Sequence, residues 1–154
     1  MIAPPRAAGV RGMVGGQMMD LDAEHQNMSA EEVIRLQRLK TGEMFAVSCE
    51  AGAILGKAPE QLRARLQRYA HDIGLAFQIT DDLLDVTQQT ETLGKTAGKD
   101  KTAEKATYPG HYGVEKTRAM TSSIRDDACR ALSAIDGDSG LLSDLTNLVL
   151  NRTR

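Results

Sequence analysis

From Leu62 to Leu84 an apolar or near-apolar residue recurs every three or four positions: Leu62, Leu66, Tyr69, Ile73, Phe77, Thr80, Leu84. That spacing follows one face of an α-helix and fits no strand. Pro59 stands where a first-turn proline belongs. The pattern predicts a helix to Val86, about 42 Å long at 1.5 Å per residue. Turning about 100° per residue places His71, Gly74, Gln78, Asp81, Asp82 and Asp85 in one narrow polar arc. Ile73, Leu75, Ala76, Phe77, Ile79, Thr80, Leu83, Leu84 and Val86 fill an arc of about 200°. A helix with that much apolar surface has to be buried, so the rest of the chain must wrap it.

The remaining sequence suits the task. Ala, Leu, Gln, Glu, Arg and Lys dominate its middle and β-branched runs are missing, which predicts an all-α fold. At 154 residues the chain is sized for one domain. A net charge of −2, from 19 basic and 21 acidic side chains, argues against a non-specific nucleic-acid binder. No apolar run reaches about 18 residues, so no membrane insertion is expected. Cys49 and Cys129 stand alone, which excludes a disulfide framework or a zinc motif and fits a cytoplasmic location.

Residues 1–8, with Pro4 and Pro5, read as an irregular leader before a single unit over 9–154. Gly9–Asp22 is rich in Gly and Met and is compatible with a close-packed helix or a loop. Ser29-x-x-Glu32 is a capping box that opens the next helix, and Val33, Leu36, Met44, Val47 and Ala51 carry one face to Gly52. From Gln88 to Lys105 periodicity stops. Gly94, Gly98 and Lys95, Lys99, Lys101 and Lys105 mark a basic loop. A helix over Val114–Ile135, a turn at Asp136–Gly140 and an amphipathic helix with Leu141, Leu142, Leu145, Leu148 and Val149 complete the chain.

Asp81 and Asp85 are like charges one helical turn apart, unfavourable even in water. On a buried helix the cost grows unless a cation neutralises them. Hard oxygens with no His or Cys nearby suit Mg²⁺, which takes few carboxylates and completes its shell with water and phosphate. The alternative is an acidic strip facing solvent; the apolar arc around it favours the metal. Lys40 falls inside the Val33–Ala51 apolar stripe, where a lysine either snorkels out or meets a buried anion. The lysine loop either closes over a phosphate or is simply solvated. Gln17 and Asp20 can share one helix face. Asp126-Asp127 has Arg130 where a third acid would stand, so that pair reads as a surface ion-pair site.

Five segments occur in a fixed order: Gly15-Gly16-Gln17-Met18-Met19-Asp20-Leu21; Lys40-Thr41-Gly42; Gly74-x-x-Phe77-Gln78-x-x-Asp81-Asp82-x-x-Asp85; Leu93-Gly94-Lys95; and Lys105-x-Thr107-Tyr108-Pro109. Together they resemble the C-terminal half of a trans-isoprenyl diphosphate synthase, most like the bacterial farnesyl and geranylgeranyl diphosphate synthases. The resemblance runs from Gly9 to the end.

The resemblance implies an all-α isoprenoid-synthase bundle, homodimers as the rule, and Mg²⁺-dependent condensation of an allylic diphosphate with isopentenyl diphosphate. It implies Asp81, Asp82 and Asp85 as the metal-binding motif, with Asp81 and Asp85 the leading ligands. Lys40, Lys95 and Lys105 would hold diphosphate, and Lys40, Thr41 and Gln78 would flank the reacting carbon. The family's first aspartate-rich motif and its isopentenyl diphosphate pocket have no counterpart in these residues. The chain therefore reads as truncated and is expected to be inactive alone. Two alternatives stand beside this: a non-catalytic helical subunit that associates with a complete synthase, and a fragment like a class I terpene cyclase.

Overall fold

The computed structural model describes residues 4–23, 28–93, 107–135 and 137–152, except the side chains of 88–93. Those residues are helical with no strand, as the composition predicts. In chain order the helices are α1 (Pro4–Ala8), α2 (Met13–Ala23), α3 (Ala30–Gln37), a π-helical turn (Arg38–Gly42), α4 (Glu43–Leu55), α5 (Glu60–Leu93), α6 (Tyr108–Tyr112), α7 (Val114–Ser133) and α8 (Gly140–Leu150).

Helix α5 is the spine. Its 34 residues span about 51 Å and run past Val86 to Leu93, beyond the point where the apolar pattern ends. One core packs Tyr69 and Ile73 of α5 against Ala128 and Leu132 of α7 and Val149 of α8. A second packs Ile79 and Leu83 of α5 against Val33 of α3 and Tyr108 of α6. Tyr69 reinforces the first core by donating its hydroxyl to the Leu142 carbonyl at 2.9 Å, with Thr146 Oγ1 at 3.2 Å.

The capping box forms as expected: the Glu32 amide donates to Ser29 Oγ, and Glu32 Oε2 accepts from the Ser29 amide at 2.8 Å. Residues 4–8 depart from the expected irregular leader. Pro4 and Pro5 occupy the first turn of α1, where missing amide donors cost nothing, and Ala7 is fully buried. Of Gly9–Asp22, the part from Met13 is helical, as α2, and Gly9–Gly12 forms the turn before it. The predicted helix through Gly52 is interrupted, because the π turn at Arg38–Gly42 inserts extra residues into the α3–α4 register. Predicted faces that assume 3.6 residues per turn therefore slip across it.

Two glycines let that wide turn sit between helices. A Cβ on Gly16 of α2 would collide with the backbone nitrogen and Cα of Lys40, and one on Gly74 of α5 would reach 3.1 Å from Gly42 Cα. Gly16→Ala is expected to cost about 1–3 kcal/mol through forced backbone shifts. Gly52→Ala, in α4 with open space at its Cα, is expected to gain about 0.5–1 kcal/mol from helix propensity. Urea denaturation of the two variants checks the contrast.

Candidate diphosphate and metal site

The three aspartates of α5 have three different environments. Asp82 is 6% exposed. Its Oδ2 accepts from the Tyr108 amide at 3.2 Å and its Oδ1 from Gln78 Nε2 at 3.3 Å. Burial raises its pKa to about 6 despite those two donors. Asp82 thus ties the N-terminus of α6 to the spine.

Asp81 is half-buried and forms an ion pair with Arg152, Nη2 to Oδ1 at 2.5 Å. Burial pushes its carboxyl above the ordinary value and the Arg152 charge pulls it back. Asp85, one turn further, is exposed. Among the described residues no three His, Cys, Asp or Glu side chains come together as a metal cluster. Of the three aspartates expected to share a metal, Asp81 and Asp85 face outward and Asp82 is engaged in the core.

Gln78 connects this stripe to the π turn. Its Oε1 accepts from the Thr41 hydroxyl at 3.0 Å while its Nε2 donates to Asp82. The two expected active-site residues Thr41 and Gln78 are therefore in contact, and the amide orientation is fixed by having a donor on one side and a carboxylate on the other. Thr41 gives its proton to Gln78, which leaves its oxygen with acceptor capacity.

Lys40, next in the turn, has a side chain 30% exposed and places Nζ 2.5 Å from Asp20 Oδ2 on α2. Its partner is a carboxylate of the Gly15–Leu21 segment, itself 40% exposed and so not a buried anion. Gln17 of the same segment is exposed. Lys95 and Lys105, with the rest of the expected lysine loop, lie outside the described residues. Asp126 and Asp127 pair with Arg125 at 3.1 Å and Arg130 at 2.5 Å on the surface of α7, as expected.

A cavity of about 360 Å³ opens between α5, α7 and the end of α8, lined by Thr80, Leu84, Arg118, Arg125 and Arg152 among others. Its lining includes no carboxylate, and Arg152 connects it to Asp81 of the acidic stripe. Neither Arg152 nor the Tyr108 amide could be read as a partner of the aspartates, because both come from distant parts of the chain.

A polyprenyl synthetase family model matches residues 7–134. A curated farnesyl diphosphate synthase from Escherichia coli is 37% identical over 152 residues, covering 96% of this chain and 51% of that protein. The solved FPP/GFPP synthase of Zymomonas mobilis superposes with a TM-score of 0.78 at 38% identity, covering 94% of this chain and 47% of that one. A Helicobacter pylori geranyltransferase solved with magnesium and isoprenyl diphosphate superposes with a TM-score of 0.71 at 28% identity, over 95% and 48%. The chain belongs to the polyprenyl synthetase family. It spans about half the length of the curated relatives it matches.

Asp82→Ala is expected to cost about 1–3 kcal/mol, because the buried Tyr108 amide loses its acceptor. Tyr108→Phe should be neutral or stabilising, since the Tyr108 hydroxyl is buried with no partner among the described residues. Chemical denaturation of both variants tests the assignment of Asp82 as a structural tie.

Proposed function

We propose that these residues form the diphosphate-holding part of a prenyltransferase that joins an allylic diphosphate to isopentenyl diphosphate. The observation that carries this is the division of labour on α5. Asp81 and Asp85 stand one turn apart at the outer edge of a helix whose other faces are packed. Their paired oxygens fit Mg²⁺, which takes one or two carboxylates and leaves its other positions to water and phosphate. Mg²⁺, when bound there, would supply positive charge to a departing diphosphate.

The chain's own residues do the rest. Lys40, released from or shared with Asp20, offers a cation to the diphosphate, as would Lys95 and Lys105. The oxygens of Thr41 and Gln78 present negative dipoles, the polarity a developing allylic cation needs. Asp82 holds Gln78 in place and keeps the α6 end of the site against the spine.

Asp81 and Asp85 alone leave most of an octahedral shell unfilled. Mg²⁺ is therefore expected to bind weakly by itself and at least tenfold more tightly with inorganic diphosphate. Calorimetry on the parent and on Asp85→Asn checks this; equal Mg²⁺ affinity in both would contradict it. The 154 residues contain a single DDxxD, so on this reading the diphosphate is neutralised by one aspartate-rich segment and not by two. Incubated alone with Mg²⁺ and both diphosphates, the chain is expected to yield no prenyl product above an Asp81→Asn control. Product above that control would show that these residues suffice.

One surface favours a partner in addition. Val10 is 79% exposed, and Val14, Met18 and Leu21 form an exposed apolar row along α2. Rows of this kind recruit another surface, and we assign this one to a second copy of the chain. Sedimentation is expected to show self-association that Met18→Glu weakens; a monodisperse monomer would contradict it.

A further inference from the structure

Arg152 follows the end of α8, yet it makes three contacts with one turn of α5. Its Nη2 pairs with Asp81 Oδ1 at 2.5 Å and also donates to the Phe77 carbonyl at 2.9 Å. Its guanidinium carbon lies 4.0 Å from the centroid of the Phe77 ring, a cation–π distance. The side chain is 19% exposed. One nitrogen, Nη2, serves both oxygens while the flat guanidinium lies over the Phe77 ring, a stacking that a lysine ammonium does not offer.

The pair has a consequence for any cation that approaches Asp81. Arg152 already occupies one of its oxygens. A divalent ion brought within about 4 Å of the guanidinium meets Coulomb repulsion, moderated by the partial exposure of the pair. The two cations therefore compete for one carboxylate, whereas Asp85 carries no ion pair among the described residues and is open to the newcomer.

We propose that Arg152 is a positioning residue: the resident counter-cation of Asp81, holding it against α5 while the site is empty and leaving it when metal and diphosphate arrive. This rests on the reading of Asp81 and Asp85 as metal ligands. It makes the segment after α8 sensitive to site occupancy. It also sets a threshold, because a metal ion without diphosphate gains too little to displace a cation held at three points.

Calorimetric titration with Mg²⁺ plus inorganic diphosphate tests this on the parent chain, Arg152→Gln, Arg152→Lys and Asp81→Asn. With the competitor removed, Arg152→Gln is expected to bind about fivefold more tightly than the parent, the scale of a partly exposed ion pair. Arg152→Lys keeps the charge but loses the flat stacking on Phe77 and should fall between the two, a graded result that simple loss of folding would not give. A metal-free denaturation cycle with Asp81→Asn and Arg152→Gln should show that the two side chains are coupled. If Arg152→Gln binds as the parent does or more weakly, while Asp81→Asn loses binding, the counter-cation role is overturned and the metal site stands. If all four chains bind equally, Asp81 is not a ligand and both readings fall.

Discussion

Helix α5 has to bury most of its circumference while carrying Asp81, Asp82 and Asp85 within a turn and a half. Each carboxylate meets that constraint differently. Asp82 goes inward and is satisfied by the Tyr108 amide and Gln78. Asp81 stays at the boundary and takes a cation from the far end of the chain. Asp85 remains in solvent. The positions of α6, of the Gln78 amide and of the segment after α8 all depend on how these three charges are accommodated.

The π turn is the second element on which the site relies. Lying between α3 and α4, it carries Lys40, paired with Asp20, and Thr41, which donates to Gln78. It needs room on both sides, and Gly16 and Gly74 give it by bringing two helices to within backbone contact. Wide turns of this type are commonly found at functional sites, and here the turn supplies two of the side chains that the family resemblance implies in catalysis.

Much of this was legible beforehand. The spacing from Leu62 to Leu84 predicted the spine and its faces, and the Ser29–Glu32 box predicted the start of α3, because both depend only on neighbours within a turn. The π turn was not legible, since Arg38, Leu39 and Lys40 are ordinary helix formers and the helices packed on the turn, α2 and α5, come from elsewhere in the chain. Residues 4–8 read as an irregular leader because two prolines break regular structure everywhere except in the first turn of a helix, which is where they stand. The separation of Asp82 from Asp81 and Asp85 turns on a partner at Tyr108, and the occupation of Asp81 on one at Arg152. Long-range pairs of that kind leave no local pattern.

The central claim is that Asp85 serves a ligand while Asp82 serves the fold. Thermal melting of Asp85→Asn, with and without Mg²⁺ and diphosphate, tests it most directly. Without ligands the variant should melt at or slightly above the parent, because a like charge one turn from Asp81 is removed. With ligands the parent should rise, as any protein does that binds in its native state, and the variant should not. A variant that melts well below the parent without ligand, or that rises as far as the parent with it, would contradict the account.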